Sequence, residues 1–70
     1  MELVKLKVEG MESSGCAHAV EHAIQLVPGV LRVRADLADG SADVEKAETV
    51  TAQQLIDAVE KAGYAARVVA

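Results

Sequence analysis

The apolar residues of this chain switch repeatedly between a period of two and a period near 3.6. The order of those switches limits the fold more than any single motif does. Val4, Leu6 and Val8 alternate with Lys5, Lys7 and Glu9, the pattern of a half-buried strand over residues 2–9. Gly10 ends it. From Ser14 to Val27 the spacing is helical: Ala17, Val20, Ile24 and Val27 recur at three and four residues as one stripe. Ser13 or Ser14 is the candidate N-cap, and Pro28-Gly29 stops the helix. Val30 to Leu37 returns to period two, with Leu31, Val33, Ala35 and Leu37 on one face and Arg32, Arg34 and Asp36 on the other. Asp39-Gly40-Ser41 is a hairpin signal. It leads into a third strand, Ser41 to Glu45, with Ala42 and Val44 inward. The shortness and flanking charge of that strand predict an edge position. Thr51 and Gln54 form a capping box, and Val50 can staple onto Leu55. Leu55, Val59 and Ala62 make the stripe of this second helix, and Gly63 is its C′ residue. Tyr64 to Val69 is the final strand.

The predicted order is therefore β-α-β-β-α-β. The halves echo one another, Ala19-Val20-Glu21-His22-Ala23 against Ala58-Val59-Glu60-Lys61-Ala62. Two β-α-β halves with right-handed crossovers give a four-stranded antiparallel sheet with both helices on one face. That is an α+β, ferredoxin-like sandwich formed by a single domain, residues 1–70. Composition agrees: 51% of the residues are apolar, yet there is no Phe or Trp and one Tyr. An aliphatic core suits a thin two-layer packing.

The same composition excludes several function classes. Net charge is −4 with a pI of about 4.9, and no basic patch or aromatic platform for nucleic acid is visible. Apolar runs are far shorter than a membrane span. No charged n-region and apolar h-region follow Met1, so no signal peptide is read. The single cysteine cannot close an internal disulfide, and a free thiol points to the cytoplasm. Met1 and a strand finishing close to Ala70 are what a free-standing protein would show.

Chemistry concentrates between Val8 and His18, where a strand passes through a Gly- and Ser-rich loop into a helix. Such loops are favoured places for binding. Cys16 falls in the first helical turn, where partial positive charge and unpaired N–H groups favour a thiolate. A thiolate is a soft ligand suited to copper(I) or zinc. Cys16 can equally serve as a small hydrophobe on the inner edge of the helix. His18 and His22 lie four apart and more than about 120° from the apolar stripe, facing solvent, and both can reach one ion. Cys16 and His18 point about 200° apart, so the three converge poorly unless the first turn unwinds. Glu12 adds a carboxylate at the loop mouth. His18, His22 and Glu12 are thus candidate auxiliary ligands, read otherwise as solvated surface groups.

The run Gly10-Met11-x-x-x-x-Cys16-Ala17-x-x-Val20-Glu21-x-Ala23-Ile24 resembles the heavy-metal-associated domain family. So do Val27-Pro28-Gly29-Val30 and Ala62-Gly63-Tyr64, and together these segments span essentially the whole chain. The resemblance implies the β-α-β-β-α-β fold and a soft ion held between two cysteines of a Gly-Met-x-Cys-x-x-Cys loop. The ion would be handed to a partner by thiol exchange. It places the family's second cysteine on Cys16 and its first on Ser13, so the site is halved, because a hydroxyl is hard and stays protonated near neutral pH. Two origins fit Ser13: an engineered cysteine-to-serine replacement, or a natural paralogue that lost or changed its metal. By the same resemblance Met11 points into the core and holds the loop, and Tyr64 shields the site.

The expected function is a copper(I) carrier with an impaired one-cysteine site. Its partner would be a metal-transporting P-type ATPase or a similar thiol-bearing acceptor. Cys16 of two chains could also share one ion in a metal-bridged homodimer. Mercury(II) or zinc are alternative ions, and a form without metal is open. The alternatives in function are a mercury-binding domain of the same fold and a metal-free protein-interaction domain. Catalysis is not expected, because the Cys16 and His18 faces diverge and a thin sandwich has no deep pocket.

Overall fold

The computed structural model describes residues 2–69; Met1 and Ala70, the two ends of the expected domain, lie outside the described residues. The elements are β1 (Glu2–Glu9), α1 (Ser14–Gln25), β2 (Val30–Asp36), β3 (Ser41–Lys46), α2 (Ala52–Lys61) and β4 (Ala65–Val68). The sheet order is β2-β3-β1-β4, with every neighbouring pair antiparallel. This is the ferredoxin-like sandwich.

The period-two pattern decides which face the helices cover. Val4 lies opposite Val44 and Leu6 opposite Ala42, so the apolar residues of β1 and β3 share one side of the sheet. Leu6, Ala42 and Val44 are buried there with Val20 and Ile24 of α1 and Leu55 and Val59 of α2. Val8, Met11 and Val50 complete the core. Burying a Val, Leu or Ile side chain contributes about 1.5–3 kcal/mol, and these positions take the place of the missing aromatic residues.

Four sequence expectations change in the structure. The third strand is interior, between β2 and β1, and not an edge. The charges that suggest an edge belong to its uncovered face: Asp43 lies opposite Lys5 and Arg34, and Glu45 meets Arg32 Nε at 3.8 Å. Opposite charges across strands support an interior position. Leu31 faces solvent, 58% exposed. The register slips between Val30 and Arg32, and this bulge turns half-buried Val30 inward instead. Leu37 falls beyond the end of β2 and is likewise exposed. Ala62 is the exposed C-cap of α2 and not part of its buried stripe.

Helix and strand ends also shift slightly. Helix α1 stops at Gln25 with Leu26 as C-cap, two residues before Val27, because the residue preceding a proline is disfavoured in helical conformation. Strand β3 runs one residue further, to Lys46. Lys46 is buried on the core side, and its Nζ meets Glu2 Oε1 at 2.5 Å. Strand β4 is shorter than expected, Ala65–Val68.

Candidate functional site

The loop after β1 is shaped first by Gly10, whose φ of +87° is a conformation that favours glycine. Met11 follows and is buried, 7% exposed, so its side chain anchors the loop in the core. The chain then surfaces: Glu12, Ser13, Ser14 and Gly15 are all exposed. Ser13 is the N-cap of α1, with extended backbone at φ −142° and ψ 165°. Its carbonyl accepts the first helical bond from Ala17 N–H at 3.0 Å. Its Oγ accepts from the Cys16 N–H at 3.3 Å.

Cys16 is half-buried in this first turn and is a free thiol. The Ser13 hydroxyl donates to Sγ at 3.3 Å. The Tyr64 hydroxyl lies near enough to the same sulfur for the two groups to shift one another's ionisation. The bond from Ser13, then Tyr64, then backbone donors at Glu12 and Ser13 pull the Cys16 pKa down to about 7 against a smaller desolvation effect. Each donor is satisfied better by an anionic sulfur than by a thiol. The same contact raises the Tyr64 phenol above its ordinary value.

Tyr64 is placed by the end of α2. Gly63, at φ +98°, is the C′ residue. Gly63 N–H donates to Glu60 C=O at 3.0 Å and Tyr64 N–H to Val59 C=O at 3.2 Å. That pair of bonds is a Schellman motif, and it turns the chain back towards the loop. The Tyr64 ring lies against Gly10, with Cδ1 3.5 Å from where a β-carbon would project. A capping device on one helix and a glycine turn on the first strand thus bring one phenol to one thiol.

His18 and His22 are exposed on α1, and Glu12 is exposed on the loop. Among the described residues no three His, Cys, Asp or Glu side chains converge as a metal-holding group. Ser13 and Tyr64 gather at Cys16 and Met11 is buried in the core, while His18, His22 and Glu12 are exposed and join no such group. Sequence reasoning gives Glu21 no structural role, yet its Oε2 accepts from the Ala35 N–H at 2.9 Å. That bond ties α1 to the outer strand β2. A glutamate on a helix flank carries no signal that a strand amide lies within reach.

Comparison with known proteins gives consistent results. The heavy-metal-associated domain model matches residues 5–65. The chain is 43% identical over 67 residues to the probable copper-transporting ATPase PacS of Synechocystis sp., covering 96% of this chain and 9% of that protein. The chain thus spans about a tenth of the length of this transporter relative. It is 38% identical over 65 residues to the copper chaperone CopZ of Bacillus subtilis, covering 91% of this chain and 94% of that protein. Among solved structures, the N-terminal domain of PacS from Synechocystis superposes with a TM-score of 0.91 at 41% identity, covering 100% of both chains. Among the described residues no helix is long and apolar enough to cross a membrane.

Proposed function

We propose a function on one premise: the chain belongs to the heavy-metal-associated domain family. It is a soft-metal carrier module with copper(I) as its cargo. It binds the ion through the Cys16 thiolate and passes it by thiolate exchange to a metal-transporting P-type ATPase or another thiol-bearing acceptor. The observation that carries this reading is a hydroxyl bonded to Cys16 Sγ in the first turn of α1. Ser13 at 3.3 Å, Tyr64 and the loop backbone favour the anionic sulfur near neutral pH. A thiolate is the form that binds soft ions, and half-buried Cys16 remains open to attack by an acceptor. The names of the transporter and chaperone relatives support copper over zinc or mercury(II). The reading makes the module a carrier rather than an enzyme, working in the cytoplasm where a free thiol stays reduced.

The fit to copper(I) is partial. Ser13 takes the position of the family's first cysteine, and its hydroxyl is a hard donor already engaged by Cys16. The chain then supplies one soft bond to the ion, with Met11 holding the loop from the core and Tyr64 covering it. The second bond comes from outside, from an acceptor thiolate or from Cys16 of a second copy in a metal-bridged homodimer. During transfer the acceptor thiolate bonds the ion and the Cys16–metal bond then breaks. With no thiolate at Ser13, an intermediate holding two bonds from this chain cannot form, so transfer is slower than for Ser13→Cys.

A parallel copper(I) competition titration of this chain and Ser13→Cys, with mass spectrometry of the complexes, tests the reading. The expected result is one tightly held ion for Ser13→Cys. This chain should bind at least about a hundredfold more weakly, roughly 3 kcal/mol, or only as a Cys16-bridged dimer. Equal affinity would overturn the impaired site. Binding by neither protein would overturn the carrier and leave a metal-free interaction domain.

A further inference from the structure

We propose that α1 carries a second metal site, separate from Cys16: a two-imidazole clamp formed by His18 and His22 for a borderline divalent cation such as Ni2+, Zn2+ or Cu2+. Both residues are exposed and lie within the continuous helix Ser14–Gln25. Four residues along an α-helix is one turn plus about 40°, with a rise of about 6 Å. Side chains so spaced project from one face with β-carbons about 5–6 Å apart. This is the spacing at which two histidines of one helix close on a single zinc ion.

The ligand chemistry separates the two sites. Imidazole nitrogen suits borderline ions, whereas the Cys16 thiolate suits soft ones. Cys16 and His18 project about 200° apart around the helix axis, so an ion at one site does not share ligands with the other. The helix end at His22 favours a cation. His22 lies in the last turn of α1, where unpaired carbonyls carry partial negative charge. It also lines a trough between the helices, opposite Asp57 and Lys61 of α2. These two charges offset one another, and Asp57 is held by Gln53 Nε2 at 2.9 Å. Among the described residues no third His, Cys, Asp or Glu joins the pair. The remaining coordination positions are then open to water or to a donor from another molecule, and binding is reversible.

The test is calorimetric titration of the Cys16→Ala protein with Ni2+, since that change removes the competing thiolate. One ion per chain is expected. His18→Ala and His22→Ala should each weaken binding at least about tenfold, with unchanged far-ultraviolet circular dichroism showing that α1 persists. A rearranged protein, His22→Ala combined with Gln25→His, keeps two histidines but spaces them two turns apart, and should bind as weakly as His22→Ala. The clamp is overturned if Cys16→Ala binds no Ni2+. It is also overturned if either single substitution leaves affinity within about threefold, or if the rearranged protein retains binding.

Discussion

The Ser13 hydroxyl engages Cys16 twice, 3.3 Å from its amide nitrogen and 3.3 Å from its sulfur. One oxygen caps the helix and also stabilises the thiolate, so fold and chemistry share an atom. Ser13→Ala removes both interactions. Loss of the cap should cost about 1 kcal/mol, read as a lower denaturant midpoint. The pH profile of Cys16 alkylation should also move. It should rise through a midpoint of about 7 in the parent protein and through a higher midpoint in Ser13→Ala, because a donor to the anion is gone. An unchanged alkylation midpoint would mean that Ser13 acts only as a cap.

Tyr64 ranks below Ser13 among the groups that lower the Cys16 pKa. In Tyr64→Phe the ring still packs over Gly10 and the Schellman turn, which uses backbone groups, is untouched. Thermal stability should change little, while the alkylation midpoint rises by less than in Ser13→Ala. A larger rise than in Ser13→Ala would reverse the order of the two hydroxyls.

Residues whose consequences are local are legible in the sequence. The Thr51–Gln54 capping box is present from both directions, with Thr51 N–H on Gln54 Oε1 at 2.8 Å and Gln54 N–H on Thr51 Oγ1 at 3.2 Å. Gly63 as C′ residue follows from the same short-range geometry, as does a serine N-cap for α1, with the structure choosing Ser13 over Ser14. What the sequence hides depends on partners distant along the chain. Asp43 and Glu45 signal an edge only until Lys5, Arg34 and Arg32 are placed beside them. Leu31 and Val30 exchange faces at a bulge that a period-two pattern cannot register. Lys46 lies beyond the strand Ser41 to Glu45 read from the sequence, yet it is buried at the end of the sheet beside Glu2. At the site, the loop and its thiol are visible in the sequence. The resemblance also sets Tyr64 over that loop, whereas the double engagement of Cys16 by the Ser13 hydroxyl depends on side-chain geometry that no sequence pattern records.

Glu21 offers a direct measure of such a long-range contact. Its Oε2 accepts from Ala35 N–H at 2.9 Å in a part-buried setting, and β2 is an outer strand of the sheet. Glu21→Ala leaves that amide without its partner and should cost about 1–3 kcal/mol. Ala35 amide exchange should speed up more than that of interior β3 residues. Glu21→Gln keeps an acceptor oxygen and should recover most of both effects. Equal losses in the two variants would assign the stabilisation to charge rather than to the hydrogen bond.

Gly29 tests how tightly the two halves of the chain meet at the opposite end of α1. Its φ is +96°, and a β-carbon there would lie 2.5 Å from Val50 Cγ2. Val50 is buried, 3% exposed, immediately before the Thr51 cap of α2. The Gly29 carbonyl also accepts from Ala47 N–H at 2.8 Å, so the glycine backbone has little room to retreat. Gly29→Ala should therefore combine left-handed strain with overpacking and destabilise by about 2–4 kcal/mol. Trimming the neighbour separates these contributions. In the double variant with Val50→Ala the clash is relieved and the strain persists, so the two substitutions should cost less together than the sum of their separate costs. Chemical denaturation of the four proteins measures the coupling. Strict additivity would show that Val50 yields freely and that backbone conformation alone requires glycine at this position.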